Sequence, residues 1–297
     1  MEHDPSIDAQ TWEQRGIRAR DAGQHAEAEA CFTQAVSHSE RPLSWLGLAL
    51  SQIDLNRTDD AVHSLRKAQA LSPKSGVVGH LLASLTGEAT LRAPDTYVTW
   101  LFNTYADSFD NHLTRLGYQG PHMLHQLAER AEWPLQPTAH ILDLGCGTGL
   151  SGIPFRPYAQ QLDGIDLAPR MLEQARNRGI YDTLHHAEAH AALTAMPAAS
   201  YDTILAADML IYIGDMAAIF QEVARVLKPG GNFLFTVETG TTSFALASTG
   251  RYTHADAYVQ RCASEWLQLA DHLDGVLRVE AGLATPSRAY RFVKTVN

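Results

Sequence analysis

The stretch that decides the fold is His140-Ile-Leu-Asp-Leu-Gly-Cys-Gly-Thr-Gly-Leu-Ser-Gly152, in which an apolar run leads directly into alternating glycines. The run predicts a buried strand, and Gly145, Gly147 and Gly149 predict a sharp turn after it. Glycine has no Cβ and readily adopts positive φ, so such a turn brings backbone N–H groups and the following helix N-terminus close to a ligand. The end of this strand is therefore a predicted binding edge.

The next predicted strand, Gln161-Leu-Asp-Gly-Ile-Asp166, ends on a carboxylate. Asp166 lies 21 positions beyond Gly145, where a βαβ unit places an acidic side chain that binds ribose hydroxyls. The spacing is G-x-G-x-G rather than the dinucleotide fingerprint G-x-G-x-x-G, because position 150 is leucine. The pattern favours a nucleoside ligand over a dinucleotide.

Strand and helix patterns alternate from residue 138 onward, which predicts a parallel sheet with helices on both faces. Strands are predicted near 140–144, 161–166, 183–187, 202–207 and 232–238, and helices from about 150 to 158 and at 169–178 and 215–227. Two final strands, near 276–280 and 289–296, have no helix between them and predict an antiparallel hairpin. Ligands bind such sheets at the carboxyl ends of the strands, the edge where Asp143, Asp166 and Asp208 fall.

Five segments in this order resemble the motifs of class I S-adenosylmethionine (SAM) methyltransferases. They are the glycine stretch, Gly164-Ile-Asp166, Met171-Leu-Glu-Gln-Ala175, Tyr201-Asp-Thr-Ile-Leu205 and Arg225-Val-Leu-Lys-Pro-Gly-Gly-Asn-Phe-Leu-Phe-Thr-Val237. The resemblance spans 137–297 and implies an α/β fold with a Rossmann-like, mostly parallel seven-stranded sheet. It also implies SAM as cofactor and methyl transfer to an oxygen or nitrogen acceptor.

The resemblance assigns cofactor binding to the strand ends and to the helices predicted within 91–136, the roof helices, which in this family cover the cofactor. Asp143 would hold the amino group of the SAM methionine, or else brace the glycine turn, and Asp166 would bind the ribose. Leu167 lies beside the adenine position, and Glu188 and Ala189 lie at its edge, where the family often carries Asp. The full predicted cofactor set is Tyr105, Phe109, Asp143, Gly145, Cys146, Gly147, Gly149, Asp166, Leu167, Glu188, Ala189 and Asp208.

The predicted catalytic residues are Asp208, Tyr212 and His254. Asp208 and Tyr212 follow the fourth strand, where the acceptor meets the methyl group in this fold. His254 lies in an insertion, about 240–271, that could close as a lid, and it could act as a base; an N-cap or surface role is the alternative. Methyl transfer depends chiefly on alignment, so no dominant acid–base pair is expected.

The first 90 residues contain an internal repeat with an offset of 33 positions, and they predict an all-α domain. The paired positions are Trp12 with Trp45, Gly16 with Ala49, Ala28 with Ala61, Phe32 with Leu65, and Ala35 with Ala68. The pattern resembles the tetratricopeptide repeat, with a nonspecific helical bundle as the alternative. The predicted domains are 1–90 helical repeats, 91–136 linker and roof helices, and 137–297 the SAM-binding domain. The roof pattern from Tyr105 to Tyr118 resembles bacterial methyltransferases that carry such repeats.

Composition narrows the function classes. The chain has 297 residues, 45% hydrophobic residues and a formal charge of −10, which opposes nucleic-acid binding. The segment His186-Ala-Glu-Ala-His190 is not an H-E-x-x-H zinc motif, so no metal site is expected. Three dispersed cysteines and an acidic N-terminus predict a cytoplasmic protein without a disulfide framework or membrane segment.

The predicted partners are a small-molecule methyl acceptor and, through the helical repeats, a protein partner or a second copy of the chain. Two other functions remain open at this stage. One is a peptide-binding repeat module with a regulatory SAM site. The other is a dinucleotide-linked oxidoreductase, against which Leu150 argues.

Overall fold

The computed structural model describes residues 8–132 and 137–295. The chain divides into two compact units, one running up to Ala89 and including Ser248–Gly250, the other comprising Thr90–Ala247 and the chain from Arg251 onward. Among the described residues, no helix combines the length and apolar character needed to cross a bilayer.

Up to Ala89, the described residues of the first unit form only helices and the turns between them, as predicted. Its helices are α1 (Ala9–Asp21), α2 (His25–His38), α3 (Pro42–Asp54), α4 (Thr58–Leu71) and α5 (Gly76–Thr86). The bounds of α3 and α4 follow those of α1 and α2 by 33 positions at both ends, so the repeat offset read from the sequence is a structural period. The third repeat consists of α5 alone among the described residues of this unit.

Phe32 explains why small residues recur in these repeats. Its ring is 2% exposed, and a Cβ added at Gly16 or Gly47 would lie 2.8 Å or 2.2 Å from a ring carbon. Glycines on α1 and α3 therefore make the room that the ring of α2 fills. Each of the ten positions paired by the repeat is buried.

The second unit begins with helices and continues as alternating strands and helices. The helices are α6 (Asp95–Tyr105), α7 (Phe109–Arg115), α8 (Gly120–Arg130), α9 (Gly152–Phe155), α10 (Pro169–Arg178), α11 (Ala189–Ala195), α12 (Ala217–Val226) and α13 (Asp256–Ala263). The strands are β1 (Ala139–Leu144), β2 (Ala159–Asp166), β3 (Thr183–His186), β4 (Tyr201–Ala206), β5 (Leu227–Thr239), β6 (Phe244–Leu246), β7 (Tyr252–His254), β8 (Leu267–Glu280) and β9 (Leu283–Lys294).

The strands form one sheet that is parallel from β3 through β2, β1 and β4 to β5. The final hairpin continues it, with β9 antiparallel to β5 and β8 antiparallel to β9. Neighbouring residues of β4 face opposite apolar layers, with Ile204 in one and Leu205 in the other. Burial on both faces explains why these strands are continuous apolar runs. The predicted Rossmann-like sheet with its terminal hairpin is confirmed.

Two local expectations differ from the structure. The helix expected to run to about 158 is a single turn, Gly152–Phe155, followed by a 3₁₀ turn at Arg156–Tyr158; prolines at 154 and 157 interrupt a longer helix. The insertion expected to act as a lid instead forms β6, β7 and α13. The end of β5 pairs with β7 in parallel, so this segment extends the sheet.

Candidate cofactor and acceptor site

The glycine turn after β1 has the backbone geometry that its sequence predicts. Gly145, Gly147 and Gly149 have φ values of +73°, +54° and +96°. A Cβ at Gly145 would lie 2.4 Å from Cγ of Met209. The N–H groups of Gly145 and Cys146 both donate to the carbonyl of Ile165 at 2.9 Å, which ties the turn to β2.

Asp166 joins the two strand ends. Its Oδ2 accepts a hydrogen bond from the N–H of Gly147, and its Oδ1 accepts one from the N–H of Ala168, each at 2.8 Å. Burial raises the pKa of Asp166, although these backbone donors counteract the rise. The carboxylate therefore has a structural role that the sequence did not reveal. Each oxygen keeps a second lone pair that can accept from a ribose hydroxyl.

Asp143 is the most deeply buried acid at this edge, with no exposed surface. The hydroxyl of Tyr181 donates to its Oδ2 at 2.7 Å, whereas Oδ1 is buried with no partner among the described residues. Burial raises the pKa of Asp143 to about 7, despite the hydrogen bond from Tyr181. Leaving a buried acceptor atom without a hydrogen-bond donor costs free energy. A ligand amino group would supply the donor that Oδ1 lacks. Sequence reasoning missed Tyr181, for which no local motif gives a signal.

The roof helices are anchored to the glycine turn. Asp110 of α7 accepts from the hydroxyl of Thr148 at 2.6 Å and pairs with Arg178, which in turn donates to the Thr148 carbonyl at 2.8 Å. A ring carbon of Phe109 lies 4.0 Å from a Cβ built on Gly147, so Phe109 lies over the turn. Tyr105 is 38% exposed and stacks on the ring of His112; no contact with the turn is found for it among the described residues.

The residues predicted to border the adenine lie at the start of α11 and just after β2. Glu188 caps α11, because its Oε2 accepts from the N–H of Ala191 at 2.8 Å, and Ala189 is the first residue of that helix. The carbonyl of Leu167 lies 3.0 Å from Nε2 of His186.

Burial, followed by the charges of Asp143 and Asp166, raises the pKa of the Cys146 thiol in the glycine turn. The thiol therefore stays protonated, which argues against a role as a nucleophile.

Asp208 and Tyr212, which the sequence predicts to border the acceptor, follow the end of β4. Asp208 has φ of +57°, and its N–H donates to the hydroxyl of Thr236 at 2.8 Å. Its Oδ2 accepts from Arg278 at 2.5 Å, while Oδ1 is buried without a partner in the described part of the chain. The ring of Tyr212 packs edge-on against Phe102 at 5.4 Å between ring centroids. Burial, with the charge of Asp208, raises the pKa of Tyr212.

His254, predicted as a candidate base with an N-cap or surface role as the alternative, does not lie at the surface. Its side chain is fully buried, and its Nε2 lies 2.8 Å from the carbonyl of Ile213. Burial lowers its pKa, so the neutral ring donates to that carbonyl. These contacts make His254 a structural residue linking β7 to the chain after β4. Within the described residues, no group of three or more His, Cys, Asp or Glu side chains is arranged to hold a metal ion.

Two parts of the chain match known protein families. Residues 141–231 match the family model described as a methyltransferase domain, and residues 43–75 match a tetratricopeptide repeat model. A ubiquinone biosynthesis O-methyltransferase of Xanthomonas oryzae pv. oryzae is 35% identical over 116 residues, covering 38% of this chain and 48% of that protein. The protein of the same name from Xanthomonas campestris pv. campestris is 34% identical over 118 residues, covering 38% and 49%.

The chain spans about half the length of the curated relatives that it matches. Among solved structures, a putative methyltransferase of Haloferax volcanii, determined in complex with the Trm112 methyltransferase activator, aligns with a TM-score of 0.50 at 16% identity. The alignment covers 66% of this chain and 98% of that one. This likeness supports the fold.

Proposed function

We propose that this chain, a class I SAM-dependent methyltransferase with N-terminal tetratricopeptide-like repeats, methylates an oxygen or nitrogen atom of a small-molecule or protein-borne acceptor. The single observation that carries the proposal is the unpaired, fully buried Oδ1 of Asp143 beside a turn in which a Cβ at Gly145 or Gly149 would crowd a neighbouring side chain. Oδ1 of Asp143 is a buried acceptor without a donor, which matches a ligand that carries an amino group, and the positive charge of that group would favour the ionised carboxylate.

The residues present fit SAM. Asp143 would accept from the amino group of its methionine, the turn from Gly145 to Gly149 would contact it through backbone, and Asp166 would accept from the ribose. Phe109 and Tyr105 would cover the ligand from the roof helices, and Leu167, Glu188 and Ala189 would border the adenine. When bound, SAM supplies a methyl group on a positively charged sulfur.

The chain's own contribution to the reaction is chiefly alignment. Holding two reactants in line can supply roughly 7–11 kcal/mol of the barrier in favourable systems. Asp208 and Tyr212 border the acceptor position, and the free Oδ1 of Asp208 could receive a proton there. The relatives named O-methyltransferases support an oxygen acceptor. We further propose that the helical repeats recognise a partner protein or a second copy of the chain.

Binding and transfer measurements test this proposal. Calorimetry should detect S-adenosylhomocysteine (SAH) and SAM but not NAD. Asp166→Ala should weaken SAH binding by about tenfold to a hundredfold, the range expected for losing a charge-assisted hydrogen bond of about 1.5–3 kcal/mol. Glu173→Gln, an exposed acid on α10, serves as the charge control and should bind as the parent does.

The outcomes separate the alternatives. NAD binding without SAH binding would favour the oxidoreductase and contradict a methyltransferase. SAH binding without methyl transfer to any acceptor would favour a regulatory nucleoside site behind a peptide-binding module. Unchanged SAH affinity in a folded Asp166→Ala variant would remove Asp166 from the site.

A further inference from the structure

A largely buried ion network includes Asp208 and joins residues from four separate parts of the chain, at 208, 238, 251 and 278–280. Arg278 is its centre, with only 3% of its side chain exposed. Its guanidinium donates to Oδ2 of Asp208 at 2.5 Å and to Oε1 of Glu280 at 3.1 Å, and it pairs with Glu238. Burial alone would lower the pKa of Arg278, but the surrounding carboxylates raise it, so the guanidinium stays charged.

Arg251 completes the network from the other side. It donates to Oε1 of Glu238 at 2.7 Å and to Oε2 of Glu280 at 2.5 Å. Both guanidiniums are therefore occupied by carboxylates of the protein. Three carboxylates, of Asp208, Glu238 and Glu280, stand against two guanidiniums, of Arg251 and Arg278, which leaves a formal charge of −1.

A distortion of β8 directs Arg278 into this position. The register between β8 and β9 shifts between Val276 and Val279, and the chain before α8 pins the backbone on both sides. The N–H of Gln119 donates to the carbonyl of Leu277, and the N–H of Val279 donates to the carbonyl of Leu116, each at 2.9 Å. Strand irregularities of this kind commonly re-aim a side chain beside an active site.

The network adjoins the proposed methyl-transfer position. Met209, the residue after Asp208, occupies the space that a Cβ on Gly145 would need. Burial raises the pKa of Tyr118 well above its usual value, and the charges of Asp208 and Asp143 both add to the rise. Asp208, which pairs with Arg278, and Met209, which packs against Gly145, therefore link the network to the glycine turn.

We propose that this network selects the methyl acceptor. Arg278 fixes one oxygen of Asp208, and the other oxygen accepts a hydrogen bond from an uncharged O–H or N–H group of the acceptor. Acceptors that present a carboxylate are disfavoured. The inference rests on the proposed methyl-transfer function. An acceptor carboxylate would meet the net negative charge and find no free guanidinium. A neutral hydroxyl or amine would instead supply the donor that the buried Oδ1 of Asp208 lacks.

The proton balance follows from this placement. As the acceptor oxygen or nitrogen forms its bond to the methyl carbon, the methyl–sulfur bond breaks and its electron pair stays on sulfur. The acceptor's proton passes to Oδ1 of Asp208, which releases it to water after the product leaves. Arg278 is a positioning residue in this scheme, because it acts through Asp208.

The chemistry of the labelled product tests the proposal even while the acceptor is unidentified. The protein is incubated with SAM carrying a radioactive methyl group and a bacterial small-molecule extract, and the product is treated with mild alkali. Methyl esters of carboxylates then release volatile methanol, whereas ethers and methylamines keep the label. We expect alkali-stable label. Label released as methanol would overturn this inference and leave the methyltransferase function standing, and the absence of any transfer would overturn both.

Variants test the role of Arg278. Arg278→Gln should lower kcat by about tenfold to a hundredfold, because Asp208 loses its orientation, with SAH affinity within about threefold of the parent. Arg278→Lys should recover part of kcat by restoring the charge. Arg288→Gln, on the neighbouring strand and paired with Asp274, is the matched control and should retain parental kcat. If Arg278→Gln keeps parental kcat, or loses SAH binding in proportion to kcat, the positioning role is wrong.

Discussion

Replacing Asp143 with Asn tests the proposed SAM-binding site most directly. The carboxyl is fully buried, and its pKa is raised by burial from 3.8 to about 7. Asn keeps the shape and an oxygen that can accept from Tyr181, but it cannot ionise. We therefore expect Asp143→Asn to stabilise the ligand-free protein above neutral pH. The same change should weaken SAH binding, because the charge that would hold the amino group is lost.

The magnitude follows from the linkage between protonation and folding. Between pH 3.8 and about 7 the folded chain retains a proton at Asp143 that the unfolded chain has released, so the free energy of unfolding falls as pH rises. A gap of about three pKa units corresponds to roughly 4 kcal/mol when fully expressed. At pH 5 part of that loss has already occurred, which leaves about 2.5 kcal/mol to develop between pH 5 and pH 8.

Urea unfolding of the ligand-free parent and Asp143→Asn at pH 5 and pH 8 measures this difference. Subtracting the two proteins at each pH cancels the titration of groups that they share. Asp182→Asn is a control, because the pKa of Asp182 is shifted in the opposite direction to that of Asp143. The hydrogen bonds from Arg156 and from the N–H of Leu162 lower it. The stability that Asp182 supplies is present above its ordinary pKa of 3.8, so that variant should lose stability about equally at pH 5 and pH 8.

The reasoning is refuted if the stability difference between Asp143→Asn and its parent does not grow from pH 5 to pH 8. It is also refuted if Asp143→Asn binds SAH as tightly as the parent does, since the unpaired Oδ1 would then have no part in ligand binding.

Other changes probe the turn, the repeats and the buried histidine. Gly145→Ala should cost about 1–2 kcal/mol for a side chain at positive φ and weaken SAH binding, as urea unfolding and calorimetry would show; parental values would mean that the turn adjusts. Phe32→Ala should cost about 3–5 kcal/mol, and Gly47→Ala should be far better tolerated in that background than alone; additive costs in a double-mutant cycle would contradict the packing. His254→Gln should cost about 1–3 kcal/mol at pH 8 for its buried hydrogen bond, yet keep the parental pH profile of kcat. Because burial lowers the pKa of His254, this residue's own contribution to the parent's stability falls as pH drops below about 6.5, where the unfolded chain takes up a proton that the buried ring resists. A shifted kcat profile in His254→Gln would instead restore its role as a base.

Elements with strong periodicity could be predicted from the sequence almost to the residue. Helix 169–178 has the predicted bounds, and the 33-residue offset recurs in the helix ends of the first unit. The prediction succeeds because amphipathic spacing and glycine positions are local properties, carried by residues that are close together in the chain. The strand ends at Asp143 and Asp166 could be located for the same reason.

Residues whose roles depend on distant partners could not be predicted. Arg278 lies in a strand with no motif, and it acquires its position from a register shift and from partners up to 70 positions away. His254 looked reactive because an isolated imidazole titrates near neutrality, but burial between backbone carbonyls makes it a neutral support.

The sequence by itself therefore determined the helical repeats of the first 90 residues, the parallel sheet, the glycine turn and the acids at its strand ends. Only the tertiary structure decided which polar atoms are left unpaired at that edge, namely Oδ1 of Asp143 and Oδ1 of Asp208 among the described residues. The physical reason is that backbone conformation follows from short-range pattern, whereas hydrogen-bond satisfaction depends on which side chains the packed sheet brings together.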